Sequence, residues 1–159
     1  MRPARAEDAA AIRAVVAAAF ERDDEARMVD EARAAGAALV ELVAEQGGEI
    51  VGHVLFNRMA APPGRRFAGL APLSVRPDMQ RQGIGDALTR AGLDALRAQD
   101  VEACLVLGHP DYYPRFGFSP EAAARVISPY AGSPAFMALE LVPGALAEPL
   151  AVDYPAAFD

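Results

Sequence analysis

Two hydrophobic periods run along the chain, and the places where one replaces the other mark its elements. Ile12, Val15, Val16, Ala19 and Phe20 recur at three- and four-residue spacing, the stripe of an amphipathic helix. Glu7 and Asp8 sit where they oppose the positive end of its dipole. This predicts a helix over residues 8–20. A second helix is predicted over 24–35, capped by Asp23 and closed by Gly36, with Met28, Val29 and Ala32 turned inward. Residues 39–45 and 49–58 are rich in Val, Leu, Ile and Phe and flank Gln46-Gly47-Gly48, which reads as a β-hairpin. A loop over 60–66 carries Pro62, Pro63 and Gly64 and leads into an extended run over 67–75 that Pro72 interrupts. Proline donates no ladder hydrogen bond, so Pro72 belongs at an edge, at a bulge, or where a neighbouring strand diverges.

The strongest helical signal lies over 84–99, where Ile84, Ala87, Leu88, Ala91 and Ala95 oppose Asp86, Arg90, Asp94 and Arg97. A short apolar run over 103–107 follows, bounded by Gly108 and Pro110. Strand, helix and strand in that order predict a right-handed parallel crossover. An aromatic segment over 110–118, a last strand over 136–142 and a Pro-containing tail over 143–159 complete the chain. Its 159 residues fit a single domain, with the core in 1–142.

Composition narrows the class. At 53% apolar and 23% charged residues the chain is too hydrophobic to be disordered. Its longest unbroken apolar run, 14–20, is far short of the roughly 20 residues a spanning helix needs, so no membrane partner is expected. Charges scattered through the first 20 residues do not have the layout of a secretory signal, and a cytoplasmic location is expected. Cys104 is the only cysteine and is expected to pack as a small hydrophobe. With only His53 and His109 beside it there is no ligand spacing for a metal, and none is expected. All 15 basic residues are Arg, which removes the P-loop lysine, Schiff-base chemistry and the S-x-x-K acylation motif. A net charge of -7 disfavours nucleic acid, whose phosphates need a basic stripe.

The chemistry gathers in 73–88, where a strand joins the best helix through a glycine-bearing loop. Unpaired N–H groups at a helix start, with glycines that admit close approach, favour an anion such as a diphosphate. Gly83 and Gly85 also fit a plain strand-to-helix turn. The dinucleotide fingerprint fails because Leu88 holds its sixth position. The spelling that fits is Q-x-x-G-x-G, here Gln80-Arg81-Gln82-Gly83-Ile84-Gly85. One helix and one strand later comes Tyr112-Tyr113-Pro114-Arg115-Phe116-Gly117-Phe118.

Together these two segments resemble the acetyl-CoA pyrophosphate loop and the F-Y-x-x-x-G-F segment of the GNAT N-acetyltransferase superfamily. The stretch from Leu107 to Phe118 is similar to a bacterial subgroup of predicted acetyltransferases. The element order agrees over residues 1 to about 141. The resemblance implies an α/β fold, a mixed and mostly antiparallel sheet flanked by helices on both faces. The fourth strand would splay from the fifth to admit pantetheine, which gives Pro72 a place. It implies acetyl-CoA as co-substrate, an amine acceptor and direct attack in a ternary complex.

By position, Leu73, Ser74 and Val75 would line the pantetheine, with the Leu73 N–H as oxyanion donor. Gln80, Arg81, Gln82, Gly83, Ile84, Gly85 and Asp86 would cradle the pyrophosphate. Tyr113 matches the tyrosine that protonates the departing thiolate, with Tyr112 as the neighbouring candidate; both also read as aromatic packing at a strand end. A non-catalytic acyl-CoA-binding domain of the same fold is the alternative, and monomer and homodimer are both open. His53 reads as a strand histidine satisfied by a hydrogen bond or as a base, and His109 as a cap or turn residue. The acidic residues Asp23, Asp24, Glu25, Asp30 and Glu31 read either as a solvated face or as an attraction for an amine.

Overall fold

The structure, a computed structural model, describes residues 1–153. It begins with a short strand β1 (Arg2–Pro3) and a single 3-10 turn (Ala6–Asp8), followed by α1 (Ala9–Phe20) and α2 (Asp24–Ala34). The meander β2 (Ala38–Gln46), β3 (Glu49–Arg58) and β4 (Phe67–Val75) leads through α3 (Ile84–Ala98) to β5 (Ala103–Leu107). The chain ends in β6 (Val126–Ile127), β7 (Phe136–Glu140) and β8 (Leu150–Ala151). One sheet has the order β1-β2-β3-β4-β5-β7, antiparallel except for the β4–β5 pair, and β6 pairs with β8 alone.

Strand alternation divides the core between the two faces. On one face Leu88, Leu93 and Leu96 of α3 cover Val54, Phe56, Ala68, Leu70, Cys104 and Val106. On the other, Ile12, Val16, Ala26, Val29 and Ala32 of α1 and α2 cover Val43 and Leu55. Two glycines set how closely α3 lies on the sheet. A Cβ at Gly92 would stand 2.0 Å from Cε2 of Phe56, and one at Gly52 would meet Ile84 Cγ2 at 2.9 Å. The ring of Phe56 therefore fills the notch that Gly92 leaves.

Several sequence expectations change on the structure. The first helix starts one residue late because the Asp8 carboxylate turns back to accept the Arg5 N–H (2.7 Å) and a contact from Arg2 (2.7 Å). The hydrogen bonds from Arg2 and Arg5 hold this carboxyl at about 2. Asp23 precedes α2 but makes no side-chain cap; only its carbonyl accepts, from Arg27. The buried row of α3 runs through Leu88, Thr89, Gly92, Leu93 and Leu96, while Ile84, Ala87, Ala91 and Ala95 are half-buried. The last strand stops at Glu140, because the N–H groups of Leu141 and Val142 turn to the Glu102 carbonyl.

The Pro-rich tail read from the sequence packs onto the domain over 143–153. Ala145, Leu146, Leu150 and Val152 are buried against Phe67, Ala103, Leu105 and Phe136. β8 pairs with β6, and Asp153 bridges Ala60. The rest of the expected tail, 154–159, lies outside the described residues. Among the described residues no helix is long and apolar enough to cross a membrane.

Candidate active site

The parallel ladder between β4 and β5 is short. It pairs Phe67 with Ala103, Ala68 with Cys104 and Gly69 with Leu105, and then stops. Beyond Gly69, β4 continues to Val75 along β3 alone. Pro72 lies in this unpaired stretch, and opposite Leu55 the register slips, because Phe56 faces Leu70 while Val54 faces Leu73. Pro72 is thus at a bulge and at a divergence together, and the N–H it lacks is needed on neither side. The amide of Asn57 steadies the bulge by donating to the Ala71 carbonyl (2.9 Å).

Backbone direction follows from the same ladder. The Arg76 N–H reaches across to the Val51 carbonyl on β3 (2.8 Å). By alternation the polar groups of Leu73 and Val75 point the other way, into the split left by β5. One of them has a partner, since Gln80 Nε2 donates to the Val75 carbonyl (3.0 Å) and folds the loop back onto the strand. Ser74 is buried and pairs with His53 across the ladder, and its hydroxyl has no hydrogen-bond partner among the described residues.

At the open end of the split, α3 begins. Arg81 and Gly83 both take left-handed backbone angles, φ 65° and 84°, on either side of Gln82. The first helical bond is the Ala87 N–H to the Gly83 carbonyl. Among the described residues no N–H from Arg81 to Asp86 meets a protein acceptor. A Cβ at Gly83 would meet nothing within 4 Å, so the loop is open to solvent there. Gly85 serves a different purpose, since a Cβ there would stand 3.1 Å from the Tyr112 hydroxyl. That hydroxyl donates to Asp86 (2.8 Å), and Arg115 stacks on the Tyr112 ring, 4.3 Å from its centroid. Asp86 and Tyr112 therefore tie the aromatic segment to the first turn of α3. Burial, then the Asp86 hydrogen bond, pushes the Tyr112 hydroxyl well above its ordinary pKa. Arg81 is exposed and forms no ion pair among the described residues.

Tyr113 enters the split from the other side. It is buried, packed edge-on against Tyr112 at 5.0 Å and against Phe118 at 5.9 Å. Gly108 admits the ring, since a Cβ there would lie 2.5 Å from Tyr113 Cε2. Its hydroxyl has no hydrogen-bond partner among the described residues. Burial, then the neighbouring Cys104, pushes it up to about 12, so it carries its proton throughout the neutral range.

Tyr113 lines a cleft of about 460 Å³ together with Leu70 to Leu73 of β4 and Leu107 to His109 at the end of β5 and just beyond it. Its far wall is built from Phe20, Arg22, Glu25 and Met28 at the junction of α1 and α2, and from Tyr130. Phe20 and Met28, expected in the core, line this cleft instead, because the α1–α2 junction stands over the open split and not over a paired sheet. Cys104 is fully buried, and burial raises its thiol pKa.

The remaining candidates fall outside the cleft or on its rim. His53 is fully buried in β3, with Nε2 2.7 Å from Glu41, which also receives Arg33. Burial works against the Glu41 charge, but hydrogen bonds from His53 and Arg33 outweigh it and hold the carboxyl below its ordinary range. Of the two sequence readings His53 is thus the strand histidine held by a hydrogen bond, through Nε2 alone, since its buried Nδ1 has no partner among the described residues. His109 is an exposed turn residue on the cleft rim, its carbonyl accepting the Tyr112 N–H. Sequence reasoning missed Phe20, Leu107 and Tyr130 as cleft residues; no local signal separates an apolar residue facing a cleft from one facing the core.

Residues 9–118 match the model of the acetyltransferase (GNAT) family. The chain is 41% identical over 125 residues to the uncharacterized N-acetyltransferase YjhQ of Escherichia coli K12, across 74% of this chain and 68% of that protein. The crystal structure of the GNAT family N-acetyltransferase YhbS from Escherichia coli in complex with CoA superposes with a TM-score of 0.90 at 32% identity. It covers 99% of this chain and 89% of that one. A GNAT family acetyltransferase from Brucella melitensis in complex with acetyl-CoA gives a TM-score of 0.81 at 37% identity, covering 99% and 96%.

Proposed function

Since the chain belongs to the acetyltransferase (GNAT) family and is an acetyl-CoA-dependent N-acetyltransferase, we propose that acetyl-CoA occupies the β4–β5 split and that an amine attacks its thioester directly from the cleft side. The observation that carries this reading is continuity. Unpaired N–H groups at the start of α3, outward-turned polar groups of Leu73 and Val75, and the unpartnered Tyr113 hydroxyl lie along one path through the split.

Each part has a physical role. The N–H groups of residues 81–86 and the positive end of α3 hold the diphosphate, with Arg81 free to add a contact to a phosphate. The Gln80 side chain shapes the loop from behind, and Ile84 seats the helix start on β3 at Gly52. Pantetheine lies along Leu73, Ser74 and Val75 in place of the missing strand and takes up the polar groups that β5 leaves unpaired.

The amine, in its neutral form, attacks the thioester carbon. As the C–N bond forms, the carbonyl oxygen gains charge and the Leu73 N–H receives it. As the C–S bond breaks, Tyr113 gives its proton to the sulfur, sparing a bare thiolate in a poorly solvated split. The amine proton leaves to water, and the tyrosinate recovers a proton from the same source. Tyr113 is preferred to Tyr112 because the Tyr112 hydroxyl is already committed to Asp86. The test is an amine panel with wild-type enzyme in which released CoA thiol is followed. Turnover of amines supports the reading, and acetyl-CoA binding without turnover of any amine contradicts it.

A further inference from the structure

The acidic residues of α2 do not act together. Asp24 pairs with Arg27 (3.4 Å), Glu31 with the same Arg27 (3.9 Å), and Asp30 with Arg13 and Arg33. Among the described residues Glu25 is the one carboxylate that lines the cleft. Its side chain is only 13% exposed, whereas that of its partner Arg22 is 61% exposed. The carboxylate is therefore set in the wall and held by Arg22, whose Nε donates to both of its oxygens (3.1 and 3.0 Å) and whose Nη2 donates to one of them, so an incoming ammonium must displace this i,i+3 pair from a guanidinium that is otherwise open to water. Phe20, Leu107 and Tyr130, three large side chains that remain exposed in the fold, gather at this cleft with Met28, and beside Glu25 the charged or polar side chains there are Arg22 and His109.

From this combination we propose that the acceptor is a small primary amine on an apolar, ring-sized body, and that Glu25 receives its ammonium in place of Arg22. The proposal rests on the reading that acetyl-CoA fills the split and deepens it by naming the acceptor class and a specificity-determining residue. The apolar walls disfavour sugars and polyols, which would lose water contacts without replacement, and the carboxylate disfavours anionic acceptors. The hydrogen bond from Arg22 keeps the Glu25 carboxyl below its ordinary range. Glu25 accordingly captures the ammonium form that dominates at neutral pH, and does not strip its proton. Its contribution falls on KM, while release of the proton to water precedes attack.

The experiment compares wild type, Glu25→Gln and Arg22→Gln with 2-phenylethylamine, ethylamine and phenylalanine as acceptors, following CoA thiol release and, separately, acetyl-CoA affinity. Wild type is expected to prefer 2-phenylethylamine to both others. Glu25→Gln is expected to raise its KM by about tenfold or more, the loss typical of a hydrogen bond to a charged group. Its kcat should change little and its acetyl-CoA affinity not at all. Arg22→Gln removes the same internal ion pair yet is expected to leave KM unchanged or lower it, because a competitor for Glu25 is gone. An equal rise of KM in both variants overturns the proposal by reducing the pair to a structural brace. A preference for phenylalanine that Arg22→Gln abolishes overturns it in favour of carboxylate recognition. Acetyl-CoA binding without turnover of 2-phenylethylamine overturns the acceptor assignment alone, whereas failure to bind acetyl-CoA overturns the reading beneath it.

Discussion

Replacing Gly83 with valine separates two consequences of one position. The residue holds φ 84° at the start of α3, a conformation that costs an L-residue about 1–2 kcal/mol. For a domain of this size that corresponds to a fall in Tm of about 2–8 °C. Packing adds nothing to this, because a Cβ there meets no atom within 4 Å. The second consequence concerns the ligand. The same open space is where a diphosphate would approach the N–H groups of residues 81–86, and a branched side chain would stand in it. Loss of one hydrogen bond to a charged group is worth about 1.5–3 kcal/mol, or roughly 10- to 150-fold in acetyl-CoA affinity. Thermal melts give the first quantity and calorimetric titration of acetyl-CoA the second. Gly85→Ala is the contrast, since its Cβ would press on the Tyr112 hydroxyl at 3.1 Å and disturb the brace to Asp86. A folded Gly83→Val enzyme that bound acetyl-CoA as tightly as wild type would refute the placement of the diphosphate.

Two further outcomes are expected. In Gly92→Ala, overpacking against Phe56 costs about 1–3 kcal/mol and alanine regains roughly 1 kcal/mol in a helix, so stability should fall by up to about 2 kcal/mol; a raised denaturation midpoint would contradict the packing described. In the pH profile, activity should climb as the acceptor ammonium, near pKa 10.4 for an alkylamine, gives up its proton. Tyr113, pushed up to about 12 by burial, keeps its proton below that value, so a decline centred near pH 10 in the folded enzyme would argue against it as the acid.

What the sequence made legible was local. The hairpin around Gln46-Gly47-Gly48, the helix over 84–99 and the glycine loop before it follow from periodicity and turn chemistry, and the structure places them within a residue or two, the helix ending at Ala98. Tyr112 and Tyr113, adjacent and alike in the sequence, became distinct only through tertiary contacts, one hydroxyl meeting Asp86 and the other meeting the cleft. Of the acidic residues of α2, Asp24, Glu25 and Glu31 pair with arginines three or four residues away, and only Asp30 gains a partner, Arg13, from another helix. Phe20 reads as core because its spacing is that of Ile12 and Val16, and it faces a cleft because the sheet beneath it has split. The segment after residue 142 carried no periodic signal, yet its scattered Ala145, Leu146, Leu150 and Val152 cover Phe67 and Phe136. Burial of that kind depends on what lies opposite, which no local pattern records.

The central claim is that Tyr113 hands a proton to the departing thiolate within the split. The direct measurement is kcat of Tyr113→Phe beside Tyr112→Phe with an amine that wild type acetylates, together with the acetyl-CoA affinity of each. Tyr113→Phe keeps the ring that packs against Tyr112 and Phe118 and removes only the hydroxyl. It is expected to bind acetyl-CoA normally while kcat falls by about 10²- to 10⁴-fold, the usual contribution of a positioned acid. Tyr112→Phe loses its bond to Asp86 and is expected to fall much less. Full kcat in Tyr113→Phe with normal acetyl-CoA binding would contradict the account.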